Sequence, residues 1–276
     1  MFIDTHLHLV ARDRITYPWL KDVAALDRDW TFQDYETIAR RIGIEGVLHM
    51  EVDCAPTDIA AENTFVGELM AQPGSLMRGA ISSARPESGD CEAFLDTLDL
   101  DIVKGIRRVL HVVPDDLSQG SLFRENVRRI GQKGLPFDIC VLQRQLPLAR
   151  DLVDACPDTV FVLDHCGVPD IAGDGFADWA QSISALAKRP HVNAKISGIT
   201  AYAKPDWTLE TLRPYVEHII ECFGWDRVVW GSDSPVCTLN SSLDQWMAVT
   251  QALIAGASET ERASLTHRNA QRIWSI

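Results

Sequence analysis

The sequence predicts an α/β fold closed as a single (β/α)8 TIM barrel, and three observations carry that prediction. Its 276 residues suit one barrel of roughly 250 residues. Apolar, β-branched segments recur along the chain with amphipathic segments between them, the alternation that builds a parallel sheet. No glycine-rich GxGxxG run follows any of these segments, which weakens the competing open, doubly wound sheet that binds dinucleotides. No repeat, low-complexity stretch or linker divides the chain, so residues 1–276 read as one domain.

The first strand is expected at 2–9 (FIDTHLHL). Alternate residues of a strand share a face, which places Asp4, His6 and His8 together. Burying that much polarity without partners is unfavourable, so something must meet the imidazoles. An amphipathic helix follows at 31–42, with Thr31 as its cap, then a strand at 44–52 (IEGVLHMEV) and a helix at 57–71. The pattern repeats with strand 78–83 and helix 91–98, strand 103–110 and helix 121–133, strand 136–142 and helix 145–155. Strand 159–165 and helix 175–188, strand 192–198 and helix 208–223, and strand 227–233 complete the ring, with helices 241–256 and 259–273 closing the chain. In the 121–133 helix the pattern assigns Ser121 as N-cap, Leu122, Val127 and Ile130 to the apolar face, and Gly134 as the stop.

Composition bounds the function. A hydrophobic fraction of 46% and a charged fraction of 24% are those of a globular protein with ample core. With 26 Lys and Arg against 39 Asp and Glu the net charge is −13, a field that repels polyanions and makes nucleic acid an unsuitable partner. Seven cysteines without a CxxC pair read as free thiols of a reducing compartment. No secretory leader and no run of about 18 apolar residues is present, so a cytoplasmic protein without a membrane partner is expected. Oligomeric state is not legible in the sequence.

In such barrels the chemistry sits at the C-terminal ends of the strands. Strand one supplies His6 and His8, strand six Asp164 and His165 in "VLDHCG", and strand eight Asp233 in "VVWGSDSP". Neutral imidazoles with a carboxylate are the ligand types of zinc or manganese, which would lower the pKa of a bound water. Without a metal, the same imidazoles could polarise a carbonyl while Asp233 deprotonates water. Both uses are hydrolytic. Asp4 and Asp164 read as inward-folded supporting groups. Arg107 and Arg108 of "GIRR", Lys195, and His49 or Glu51 are candidate substrate contacts, with pairing to a helix carboxylate the plainer reading of the arginines. Tyr17 and Trp19, in the long first loop, could cover a small ring or pack onto the barrel. His111, His191, His218 and His267 read as surface groups, and the cysteines, Cys166 included, as core fillers.

The blocks "IDTHLHLV", "YPWL", "VKGIRRVL", "VLDHCGVPD", "AKISG", "VVWGSDSPV" and "NAQRIW", spread in order from residue 3 to 274, resemble the amidohydrolase superfamily, in particular its amidohydrolase-related lactonases. The resemblance implies a barrel of the metal-dependent hydrolase type and hydrolysis of a small-molecule lactone, either a sugar-acid (aldono-) lactone or 2-pyrone-4,6-dicarboxylate. It maps the carbonyl-flanking histidines to His6, His8 and His165, the water-activating aspartate to Asp233 and a substrate arginine to Arg107. One departure matters. Strand five reads "PFDICVLQRQ", without the histidine of most metal-dependent members. At most one metal ion is therefore expected, zinc or manganese, on His6, His8 and Asp233 with or without His165. The few strand-end cations favour a hydroxyl-rich sugar lactone over the pyrone dicarboxylate. A decarboxylase of the same superfamily and a non-catalytic sugar-acid binding barrel are the alternatives.

Overall fold

A computed structural model describes residues Met1–Ile276. Its sheet has eight parallel strands in chain order: β1 (Phe2–Leu7), β2 (Ile44–Met50), β3 (Met77–Ser83), β4 (Val103–Val109), β5 (Phe137–Cys140), β6 (Phe161–Leu163), β7 (Val192–Ile196) and β8 (Val228–Trp230). A parallel bridge from Leu7 to Ser234 closes the ring. The His8 amide donates to the Ser234 carbonyl at 2.8 Å and the Asp233 amide to the His6 carbonyl at 2.9 Å. Closure removes both sheet edges and brings the beginning and end of the chain side by side.

Around the strands lie α1 (Phe32–Arg41), α2 (Ile59–Met70), α3 (Cys91–Asp96), α4 (Ser121–Gln132), α5 (Leu146–Ala155), α6 (Phe176–Leu186), α7 (Leu209–Phe223) and α8 (Leu243–Leu253). The largest apolar cluster fills the layer between these helices and the strands. A second cluster, of Ile3, Leu48, Met50, Ile81, Val162, Val229 and Trp274, fills the barrel interior. Trp274 reaches it from the chain end and lies against Gly105, where an added Cβ would stand 3.1 Å from the indole Nε1. A Cβ there would press on the ring, which would have to shift by a few tenths of an ångström.

Several boundaries differ from the sequence reading. Strands β6 and β8 are three residues each, so His165 and Asp233 stand in turns beyond them rather than in the strands. The register of β1 shifts between Asp4 and Leu7. That irregularity breaks strict alternation, and Asp4 turns outward to α1, where the Tyr35 hydroxyl donates to its Oδ2 at 2.6 Å. Helix α4 is capped by Gly120 rather than Ser121, and Leu122 is 38% exposed, its place on the buried face taken by Phe123 and Asn126. Gly134 does end the segment, at φ +77°. The closing helix is interrupted: α9 (Glu259–Ala263) passes through a π-helical stretch, Ser264–Arg268, into α10 (Asn269–Trp274). All seven cysteines are free thiols, and no helix is long and apolar enough to cross a membrane.

The plug can be tested. Trp274→Ala should lower the unfolding free energy in urea by about 3–5 kcal/mol, whereas Leu122→Ala on the exposed face should change it by less than about 0.5 kcal/mol. Equal effects would mean that the interior tolerates loss of its largest ring.

Candidate active site

Closure of the ring places the first strand's histidines against the last strand's aspartate. His8 Nε2 lies 3.5 Å and His6 Nε2 3.7 Å from Asp233 Oδ1, while His165 Nδ1 lies 3.9 Å from Asp233 Oδ2. All four residues are buried. Two of them are held in left-handed backbone conformations, His165 at φ 53° and Asp233 at φ 57°. For residues with a Cβ such conformations cost roughly 1–3 kcal/mol each, and they persist because the surroundings fix them. After β6 the turn is pinned by the Trp179 indole, which donates to the Cys166 carbonyl at 2.7 Å. After β8, Asp4 Oδ1 accepts from the amides of His6 at 3.0 Å and Ser232 at 2.8 Å. Asp4 therefore ties β1, the residues after β8 and α1 together from outside the barrel.

Beneath the cluster runs a chain of buried ions. Arg107 donates through Nε to Glu51 Oε1 at 2.6 Å and through Nη2 to the Glu51 carbonyl at 2.7 Å. Its Nη1 stands 3.4 Å from both Asp164 Oδ2 and His6 Nε2. Lys195 Nζ sits 2.7 Å from Asp138 and 2.9 Å from Asp164. Burial works against every one of these charges, but Lys195 and His6 hold Asp164 well below the usual carboxylate range. Asp138 and Asp164 in turn keep Lys195 above the ordinary lysine value. For Asp138 burial wins, and its pKa is pushed up to about 7.

The groups above this layer are tuned differently. Burial lowers the pKa of all three imidazoles, with His8 at about 3, so none carries a proton charge near neutrality. Burial also lifts Asp233 to about 6. His8 Nδ1 is 3.0 Å from the Met50 carbonyl, which can only accept; the proton is therefore on Nδ1, and the Nε2 lone pair faces Asp233.

A cavity of about 350 Å³ opens over the cluster, with His8, His165, Asp233, Arg107 and Trp19 in its wall. Trp19 is fixed by its indole, which donates to the Val52 carbonyl at 2.7 Å. Tyr17 is buried beneath the same loop, its hydroxyl meeting the Ala11 amide at 3.3 Å. Four sequence candidates lie elsewhere, Glu51 among them, engaged with Arg107. His49 faces the helix layer, 3.5 Å from Glu62 of α2, because its parity on β2 points outward. Arg108, one residue out of phase with Arg107, pairs with Glu87 at 2.8 Å. Lys195 is enclosed in the ionic layer and does not reach the cavity. Conversely, His111, Tyr202, Cys140 and Asp53 line the cavity. His111 is thus not a surface group; its parity with Arg107 and Val109 would have found it. Cys140, buried at the inward-facing end of β5, also borders the cavity, and nothing in the sequence marked Tyr202.

The donor set fits a divalent metal ion. Ligand atoms of His6, His165 and Asp233 lie within 4.8 Å of one another, and Asp233 Oδ2 is buried without a hydrogen-bond partner. Space is kept at this point by Gly198, where a Cβ would stand 2.3 Å from His165 Nδ1 and 2.9 Å from Asp233 Oδ2. A carboxylate oxygen and an imidazole lone pair facing each other repel unless a cation or proton lies between them.

A model of the amidohydrolase family matches residues 3–276. The chain is 30% identical to an L-fucono-1,5-lactonase of Burkholderia ambifaria over 86% of its own length and 81% of the relative's. It is 22% identical to a Burkholderia multivorans amidohydrolase crystallised with bound zinc, with a TM-score of 0.91 over 100% of this chain and 99% of the other. A putative 2-pyrone-4,6-dicarboxylic acid hydrolase of Pseudomonas putida superposes with a TM-score of 0.78 at 23% identity, over 99% of this chain and 97% of the other. At these two identities the likeness is one of fold.

The Asp4 clip should be separable from chemistry. Asp4→Asn exchanges a carboxylate that accepts from two amides and a hydroxyl for a carboxamide with a single acceptor oxygen. The expected loss of stability is about 1–3 kcal/mol by chemical denaturation, and no loss would mean that the seam does not depend on this side chain.

Proposed function

The chain belongs to the amidohydrolase family, and from that premise we propose that it hydrolyses a small lactone, with Asp233 as the acid–base group. The observation that carries the proposal is the convergence of His6, His8 and His165 on Asp233, with His8, His165 and Asp233 lining one cavity and His6 directly behind Asp233. Asp233, lifted by burial to about 6, is a carboxylate at neutral pH yet basic enough to take a proton from water. The hydroxide so formed attacks the ring carbonyl, and Asp233 returns the proton to the ring oxygen as the tetrahedral intermediate collapses. A lactone needs one proton at its leaving alkoxide, so one acid–base group is enough. The Arg107 guanidinium, held at the cavity floor by Glu51, contributes positive potential as the oxyanion develops. His6, His8, Asp233 and His165 are the residues that would hold zinc or manganese, which supplies Lewis-acid polarisation of the carbonyl and an acidified water.

Support for a lactone substrate comes from the name of the Burkholderia ambifaria relative, an L-fucono-1,5-lactonase, which makes L-fucono-1,5-lactone one of the compounds to assay. The pyrone dicarboxylate is disfavoured because Arg108 and Lys195 are engaged away from the cavity, which leaves it short of cations for a dianion. Against a panel of aldonolactones and alkyl-substituted lactones, followed by acid release, Asp233→Asn should reduce kcat by about 10²–10⁴-fold on whichever ring is turned over while calorimetric binding of the ring-opened acid persists. Retained turnover would remove Asp233 from its role. Gly198→Ala should preserve the circular-dichroism spectrum, abolish uptake of zinc measured by elemental analysis, and lower kcat about 10²-fold. Full zinc occupancy in that variant would place the ion elsewhere.

A further inference from the structure

We infer that the lactone this cavity accepts carries an apolar substituent, an alkyl or aryl group, and is not a hydroxyl-rich sugar lactone. The inference rests on the lactonase reading and fixes its substrate class. Above the reacting groups the wall is made by the loop after β1 and the turn after β8, through Val10, Leu20, Val23, Leu26, Val236 and Leu239. Val10, Leu20 and Leu26 belong to a separate apolar cluster built by that first loop, with Val23 and Val236 packed on it, so the wall is preformed.

The polar groups of the cavity are largely committed. Three nitrogens of Arg107 face Glu51, Asp164 and His6. Asp53 Oδ1 is held by Arg85 at 3.3 Å and lies 3.8 Å from Arg108. His111 Nδ1 meets the Cys140 thiol at 3.3 Å, and the Trp19 indole N–H is taken by Val52. What is left for a ligand is chiefly the Tyr202 hydroxyl, the second nitrogen of His111 and one Asp53 oxygen. The several hydroxyls of an aldonolactone would lose water there without replacing it, which is unfavourable for each unpaired group. An apolar substituent loses nothing polar and covers carbon. At the rim, Val112 is 61% and Leu239 is 42% exposed. Large side chains of this kind rarely cluster in water around a pocket without a ligand to cover them.

The test compares kcat/KM for γ- and δ-lactones bearing alkyl chains with that for galactono- and fuconolactones of matched ring size, using zinc-loaded wild-type protein and acid release. The expected result is a preference for the alkyl rings of about tenfold or more, narrowed by Leu239→Asn and Val112→Asn. Equal or faster hydrolysis of the polyhydroxylated rings overturns the inference and leaves the lactonase reading standing. No acid from any ring, alkylated or hydroxylated, overturns that reading and the inference with it.

Discussion

The site depends on a run of charges that has been taken out of water. Glu51, Arg107, Asp164, Lys195 and Asp138 alternate in sign across the barrel interior, all of them buried. Such a chain is a poor source of stability, since desolvation offsets much of the Coulomb attraction. Its effect is geometric: removing any member leaves a partner uncompensated, so each side chain has essentially one position. Asp164 is the central link, held by Lys195 on one side and Arg107 on the other, and it faces His6 Nδ1 at 3.5 Å. A weaker scaffold would let that imidazole turn away from Asp233.

The layer also separates two electrostatic regimes a few ångströms apart. Below, Asp164, Lys195, Glu51 and Arg107 face opposite charges and remain ionised, while Asp138 at the end of the row is raised to about 7 by burial. Above, burial outweighs the neighbouring carboxylates and leaves the histidines uncharged and available as lone-pair donors, while the carboxylate of Asp233 becomes a stronger base than an exposed aspartate. The same burial thus gives opposite results at Asp164 and Asp233, and the difference is whether a lysine or an arginine lies close enough to oppose it.

Much of the architecture was legible because apolar, β-branched segments alternate along the chain with amphipathic ones, and all eight strands fall at those segments. The convergence of His6, His8, His165 and Asp233 followed from their positions at strand ends. Less legible was anything requiring the phase of a side chain within a strand. Arg107 and Arg108 are neighbours in "GIRR", yet one faces the cavity and the other a glutamate outside it. His49 failed for the same reason. Asp4 broke the alternation because β1 is irregular between Asp4 and Leu7, and a register shift leaves no mark in composition. Lys195 was read as a substrate contact, but it lies one layer deeper, paired with Asp138 and Asp164, and Tyr202 comes from a loop whose path depends on tertiary packing.

The seam between β1 and the residues after β8 has a consequence for how the protein is made. The carbonyl of His6 accepts from Ser232 across 226 residues of chain, and pairings of such sequence separation form late. During synthesis the imidazoles of the first strand emerge long before the aspartate that completes their site. A ribosome-bound barrel lacking its last stave therefore has two open edges in place of a mouth, and histidines without their aspartate.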